Sequence, residues 1–419
     1  MLKLNSKVTD MSDFYKGLDP SELLSQFGSP LYIYNEDILR RKCRDMKNLV
    51  NYKDFTVSFS SKANSNLAVL QIVRSEGLKI DAMSPGEAAI GLKAGFKPED
   101  ILYICNNISA REMKSVAEYG ITIGVDSVSQ LRNWGKISPG SKVFVRFNPG
   151  VGIGHNEKVI TGGENTKFGI DASDADEVLR ITKELGLKLI GINQHVGSLF
   201  MEGNVFVEGA RNLIETAKKF DDLEYINLGG GFGIPYKKQS GEKPIDLKKM
   251  GEMTYALIKQ LNRELGRELK YIIEPGRYIA AECGVILGEV NTVKTSGGNK
   301  YIGTDIGFNI LARPVMYDAH HDVEIYRKSY ENSERQEVVN IVGNICESGD
   351  VIAHERLLPE IFEDDIIAIL DAGAYGHVMS SNYNFRLRPA EVLIRSNGEA
   401  VIVRERDEIT EILSKYISI

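Results

Sequence analysis

Eight short runs rich in β-branched and aliphatic residues, spaced between residues 56 and 277 of a 419-residue chain, constrain the fold more than any other feature. They are TVSFSSK (56–62), KIDAM (79–83), ILYICN (101–106), ITIGVD (121–126), KVFVRFNP (142–149), LIGINQHV (189–196), YINLGGG (225–231) and KYIIEPGR (270–277). Stretches of helical period lie between them, such as GEAAIGLKAG (86–95) and DADEVLRITKELG (174–186). A helical crossover returns the chain to the same end of a sheet, so the alternation makes successive strands parallel. Eight units in about 220 residues predict a (β/α)8 TIM-like barrel. An open doubly wound sheet is the competing arrangement, but it carries fewer strands and a glycine-rich turn after the first. Here the glycine cluster follows the seventh run.

Beyond about residue 285 the pattern changes. GVILGEVNTVKT, QEVVNIVGNICESGD, DIIAILDAG and AEVLIRSNGEAVIVRER read as strands joined by turns. The expected organisation is a barrel over 35–285 and a C-terminal β-sandwich or β-barrel domain over 286–419, with residues 1–34 contributing the LYIYN stretch to the latter. No internal repeat or low-complexity linker is present.

Composition excludes several classes. A net charge of −7 disfavours nucleic acid as a partner, since phosphate binding needs a basic surface. No apolar run reaches the length of a membrane span, and MLKLNSKVTDMSD lacks the apolar core of a signal peptide. Cys43, Cys105, Cys283 and Cys346 form no CxxC pair, so neither a metal site nor a disulfide framework is expected. A reduced, cytoplasmic protein follows from these features.

The active site of such a barrel lies at the C-terminal ends of its strands. The first run ends in Lys62, the fifth carries Arg146, the sixth His195, the seventh Gly229, Gly230 and Gly231, and the eighth Glu274 and Arg277. Singly, each has a plain structural explanation: a solvated lysine, a structural histidine, turn glycines, an ion-paired turn. LGGGFG has neither the GK[ST] of a P-loop nor the spacing of GxGxxG. Gathered at one mouth, they suit an anionic aromatic cofactor. Bare backbone at Gly229–Gly231 offers N–H donors to a phosphate, in the usual phosphate position after strands seven and eight. A partly desolvated Lys62 amine can form a Schiff base. Glu274 can keep a proton on a pyridine nitrogen, and His195 can stack on a ring. Phosphate, aldehyde and pyridine occur together in pyridoxal 5'-phosphate (PLP).

The motifs SKANSN, HVGS (195–198), LGGGFGIPY (228–236), EPGR (274–277), CESGD (346–350) and GAYGHVMSSNYN (373–384) resemble those of the diaminopimelate decarboxylases, which are fold-type III PLP-dependent decarboxylases. GHNEKVITGGENTKFGI (154–170) resembles a loop of one bacterial subgroup, and the likeness runs over nearly the whole chain in the family's order. The resemblance implies that Lys62 is the Schiff-base lysine and that Ser198, Gly229–Gly231, Gly276 and Arg277 surround the phosphate. It likewise implies that Arg146 belongs to the cofactor set, that Glu274 pairs with the pyridinium and that His195 stacks on the ring. It also implies that Arg277, Arg313, Tyr317, Glu347 and Tyr375 contact substrate or cofactor, and that Cys346 is the acid that protonates the product carbanion. The family's cysteine and glutamate come from the partner subunit, which implies a homodimer with shared active sites. Departures are Phe59-Ser60-Ser61 before the lysine, Gly343-Asn344-Ile345 before the cysteine and Gln194-His195 in place of HxH.

The expected activity is decarboxylation of meso-2,6-diaminopimelate to L-lysine. Its distal ammonium suits Glu347, and its distal carboxylate suits the planar forks of Arg277 and Arg313. A related decarboxylase acting on ornithine, lysine, arginine or a secondary metabolite is the alternative; polyamine-type members typically carry aspartate where Glu347 stands. An alanine-racemase-like protein would place arginine at the pyridine nitrogen, unlike Glu274. A non-catalytic PLP carrier would commonly lack the β domain, the lysine or the cysteine, and Lys62 and Cys346 are both present.

Overall fold

The computed structural model describes residues 3–4, 14–154, 156, 158, 160–163, 166–327 and 335–418. Apart from Lys3–Leu4, the MLKLNSKVTDMSD segment lies outside the described residues, as do His155, Glu157, Val159, Glu164 and Asn165 of the 154–170 loop. The described chain forms two compact units, one of residues 40–234 and 244–279, the other of 1–39, 235–243 and 280–419.

The first unit is a closed eight-stranded parallel barrel. Its strands are Phe55–Ser60, Lys79–Ala82, Ile101–Ile104, Thr122–Val125, Lys142–Arg146, Lys188–Asn193, Tyr225–Asn227 and Lys270–Ile273. Each pairs with the next in sequence, and the eighth closes on the first with Tyr271 opposite Phe55 and Ile273 opposite Val57. Side chains inside and helices outside bury both faces, so Ile101–Ile104 is buried throughout and the runs lack clean alternation. Leu102, Ile104, Phe144, Ile190 and Ile272 fill part of the interior.

Local chemistry explains the helix starts. Asn66 caps Leu67–Ser75 by accepting from the Ala68 N–H at 2.9 Å. Ser84 caps Pro85–Lys93 by accepting from the Glu87 N–H, while the Glu87 carboxylate accepts from the Met83 N–H at 2.8 Å. That reciprocal pair resembles a capping box and ties the second strand's end to its helix.

The second unit is built on a ten-stranded mixed sheet. Leu31–Asn35 joins it, antiparallel to Gly284–Leu287 and parallel to Ala390–Ile394. Leu31, Ile33, Val285, Leu287, Tyr326, Ala368, Val392 and Ile394 form its core. Residues 235–243 follow the seventh barrel strand and its glycines in sequence yet pack with this sheet unit. No helix among the described residues is long and apolar enough to cross a membrane.

Candidate active site

At the C-terminal ends of the barrel strands, Lys62 lies two residues beyond the first strand, in a single 3-10 turn spanning Ser61–Ala63. The turn is tied on both sides. The Ser60 N–H donates to the Pro275 carbonyl at 3.3 Å, and Ser61 Oγ donates to the Asp81 carbonyl at 2.7 Å. Asp81 ends its ladder opposite Ser60, whose hydroxyl donates to Asp81 Oδ2 at 3.1 Å. Asp81 is fully buried, and its Oδ1 has no hydrogen-bond partner among the described residues.

Glu274 follows the eighth strand and is 3% exposed. Its Oε1 accepts from Asn227 Nδ2 at 2.6 Å, an amide carried by the seventh strand. Burial raises the pKa of both Glu274 and Asp81, and the Lys62 charge opposes the rise at each. Burial lowers the Arg146 pKa against the pull of Glu274 and Asp126, and its guanidinium sits 4.6 Å over the Phe168 ring. Glu274 is therefore in electrostatic reach of the Lys62 ammonium, the Arg146 guanidinium and the Asp81 carboxyl.

His195 follows the sixth strand. Burial pushes its pKa well below the usual imidazole value, with the Lys62 and Arg146 charges acting in the same direction. Its Nδ1 accepts from the Gly197 N–H at 3.1 Å and lies 3.1 Å from Thr161 Oγ1. The ring is thus neutral, with its proton on Nε2. Gly197 and Ser198 pair with Ile153 and Gly154 in a short parallel ladder, and Ser198 Oγ accepts from Arg277 Nη2 at 2.9 Å.

Gly229 and Gly231 have φ of +76° and +109°, a region that favours glycine. A Cβ on Gly230 would lie 1.9 Å from the Glu274 carbonyl oxygen. Backbone occupies the side-chain space, so the run lies bare beside Glu274. Gly276 and Arg277 follow, and Arg277 is 6% exposed.

The sheet unit carries the remaining sequence-expected residues in three local settings. Arg313 starts the short helix Arg313–Tyr317 and is buried, whereas Tyr317 at its end is partly exposed. Cys346 and Glu347 are exposed; the Cys346 N–H donates to Asn384 Oδ1 at 2.8 Å and the Tyr383 hydroxyl to Glu347 Oε1 at 2.5 Å. Asp350 shapes this loop by accepting from the Phe308 and Ile345 N–H groups, each at 2.7 Å. Tyr375 has φ of +55°, and His377, two residues on, sits edge-on to Tyr32 with Nδ1 3.5 Å from Glu391.

A family profile described as "Pyridoxal-dependent decarboxylase, pyridoxal binding domain" matches residues 36–281. The chain is 41% identical over 407 residues to the diaminopimelate decarboxylase of Methanothermobacter thermautotrophicus, covering 95% of this chain and 94% of that one. The chain belongs to the diaminopimelate decarboxylase family. It is 37% identical to the Escherichia coli K12 diaminopimelate decarboxylase, with 94% of each chain covered. The structure of diaminopimelate decarboxylase from M. jannaschii in co-complex with L-lysine is similar at a TM-score of 0.88 and 29% identity, with 99% of each chain covered.

The family's cofactor is PLP, and the barrel residues fit it. They combine a lysine amine, a buried carboxyl able to face a pyridine nitrogen, a neutral imidazole, an Arg277–Ser198 pair and a glycine run whose Cβ positions are filled by backbone. Sequence reasoning passed over Asp81, Asn227 and Thr161. Asp81 was visible as the acidic residue in KIDAM, and Asn227 as the polar residue before LGGG, but neither closes an apolar stretch with a charge as Lys62 and Glu274 do. Thr161 is far from His195 in sequence, and only the folded loop brings them together.

Proposed function

We propose that this chain removes one carboxylate of meso-2,6-diaminopimelate as CO2 and releases L-lysine, working as a homodimer with shared active sites in the cytoplasm. The reading is carried by the convergence of Lys62, neutral His195, buried Glu274 and the bare glycine run at one end of the barrel. Bound there, PLP supplies an electron sink for the carbanion that CO2 leaves behind. Lys62 would hold the cofactor by forming a Schiff base with its aldehyde. Glu274 keeps the proton on the pyridine nitrogen, oriented by Asn227. His195 offers an uncharged face for stacking, with Arg146 in the cofactor set beside it. Arg277, Ser198, Gly229, Gly230, Gly231 and Gly276 bind the phosphate.

In the sheet unit, Arg313 takes the distal carboxylate and Glu347 the distal ammonium, while Tyr317 and Tyr375 line the ligand. Cys346 delivers the proton to the substrate carbon, and the partner subunit supplies it. The four cysteines are all free thiols, which suits a reducing compartment. The test is CO2 release by the PLP-loaded protein from meso-diaminopimelate, ornithine, lysine and arginine in parallel. Turnover of the first alone is expected. Faster release from any of the other three overturns the substrate assignment.

A further inference from the structure

Arg313 is 1% exposed, an expensive place for a permanent charge unless its surroundings hold it in one arrangement. Two side chains do so. Arg313 Nη1 lies 2.6 Å from His321 Nε2, and the guanidinium carbon sits 4.5 Å over the centre of the Tyr236 ring. The histidine's own tautomer is fixed, because Nδ1 is 2.7 Å from the Leu370 carbonyl, which can only accept. The proton is therefore on Nδ1, and Nε2 presents a lone pair to the arginine.

The supports are themselves anchored. The His321 carbonyl accepts from Arg356 Nη2 at 2.9 Å. Tyr236 meets His321 edge-on, with ring centres 5.3 Å apart at 74°. The segment carrying Tyr236 is pinned to the strand that follows His321 by Gln239, whose N–H donates to Asp322 Oδ2 and whose Nε2 donates to the Val323 carbonyl, each at 2.9 Å.

We propose that His321 is a positioning residue for substrate recognition. As an obligate acceptor, with Tyr236 behind the guanidinium, it fixes the plane of the Arg313 fork that meets the substrate's distal carboxylate. This rests on the reading of Arg313 given above. Recognition of a carboxylate by two parallel N–H donors depends on the orientation of the fork, and a fork already held loses little rotamer freedom on binding.

The experiment uses PLP-loaded enzyme and three readouts: KM and kcat for meso-diaminopimelate, and inhibition by L-lysine against cadaverine. L-lysine keeps the distal amino and carboxylate groups, whereas cadaverine has the same chain without the carboxylate. His321→Leu is expected to raise KM and the inhibition constant for L-lysine at least about tenfold, with kcat and cadaverine inhibition within about threefold. His321→Gln restores an acceptor near the Nε2 position and should recover most of the loss. Equal shifts for L-lysine and cadaverine, or a fall in kcat and melting temperature that Gln does not rescue, would mean that His321 only packs. Should His321→Leu not fold, Tyr236→Leu removes the stacked face, leaves the histidine bond and reads the same ratio. Arg313→Leu separates the two layers. If it leaves the L-lysine to cadaverine ratio unchanged, the reading of Arg313 fails and the proposal falls with it. If it shifts the ratio while both supporting variants do not, the positioning role alone fails.

Discussion

Desolvation raises the pKa of Glu274, and Asn227, Lys62 and Arg146 oppose that rise only in part. A carboxyl with a raised folded-state pKa stabilises the fold below its unfolded value and loses that contribution as pH climbs through the folded one. Asp81 acts in the same sense. Stripped of PLP, the parent should therefore lose melting temperature relative to Glu274→Gln as pH rises from 4.5 upward, giving it the steeper downward slope. An identical slope in a thermal scan would rule out Glu274 as its source. In the loaded enzyme the same variant should keep PLP but slow CO2 release, because the amide still bonds a ring nitrogen without favouring its protonation. Lys62→Ala should abolish the covalent link to PLP, read as loss of its absorbance, with melting temperature nearly unchanged. A solvated surface lysine would alter stability by under about 0.5 kcal/mol and activity not at all. Lys62 and Glu274 were legible because each closes an apolar run with a charge. His321 was not, because its meaning lies in contacts with Tyr236 and Leu370, distant in sequence.

At the scale of elements, the eight barrel strands were legible because parallel strands buried on both faces read as short continuous apolar runs. The details at their ends were less so. The first run reads as a strand through Lys62, but the ladder stops at Ser60, where the N–H turns to the Pro275 carbonyl, and the lysine falls in a 3-10 turn. LGGGFGIPY is a single motif in the sequence, yet Tyr236 within it belongs to the sheet unit, where it contacts Arg313 and His321. Sequence marks glycine as permissive without saying what it approaches. At Gly230 the structure supplies the answer: the Glu274 carbonyl oxygen would stand 1.9 Å from a Cβ. Gly230→Ala must push that backbone away, shifting the carboxyl as well as the turn. A loss of about 3 kcal/mol or more is expected, at the upper end for overpacking because the clash is with backbone. Chemical denaturation measures it, and PLP affinity should fall in the same variant. A variant as stable as the parent would show that the turn can open at little cost.

At the scale of the whole molecule, the proposed dimer makes a prediction that neither unit makes alone. Lys62 belongs to the barrel unit and Cys346 to the sheet unit. If both serve one site within a chain, Lys62→Ala and Cys346→Ala proteins stay inactive when mixed. If the partner subunit supplies Cys346, a heterodimer of the two variants contains one site with both lesions and one with neither. The argument needs only two-fold symmetry, in which each chain offers the other the same surface. Random subunit exchange makes half of the dimers mixed, and each mixed dimer has one intact site of two, so about a quarter of the parental activity should return. Exchange is verified independently by mass or by differential tagging. Cys346 is exposed in the single chain, and the Asn384 and Tyr383 side chains hold its loop. An exposed thiol is what a site shared between subunits requires. Verified exchange with no recovered CO2 release would confine Cys346 to its own chain and overturn the shared site.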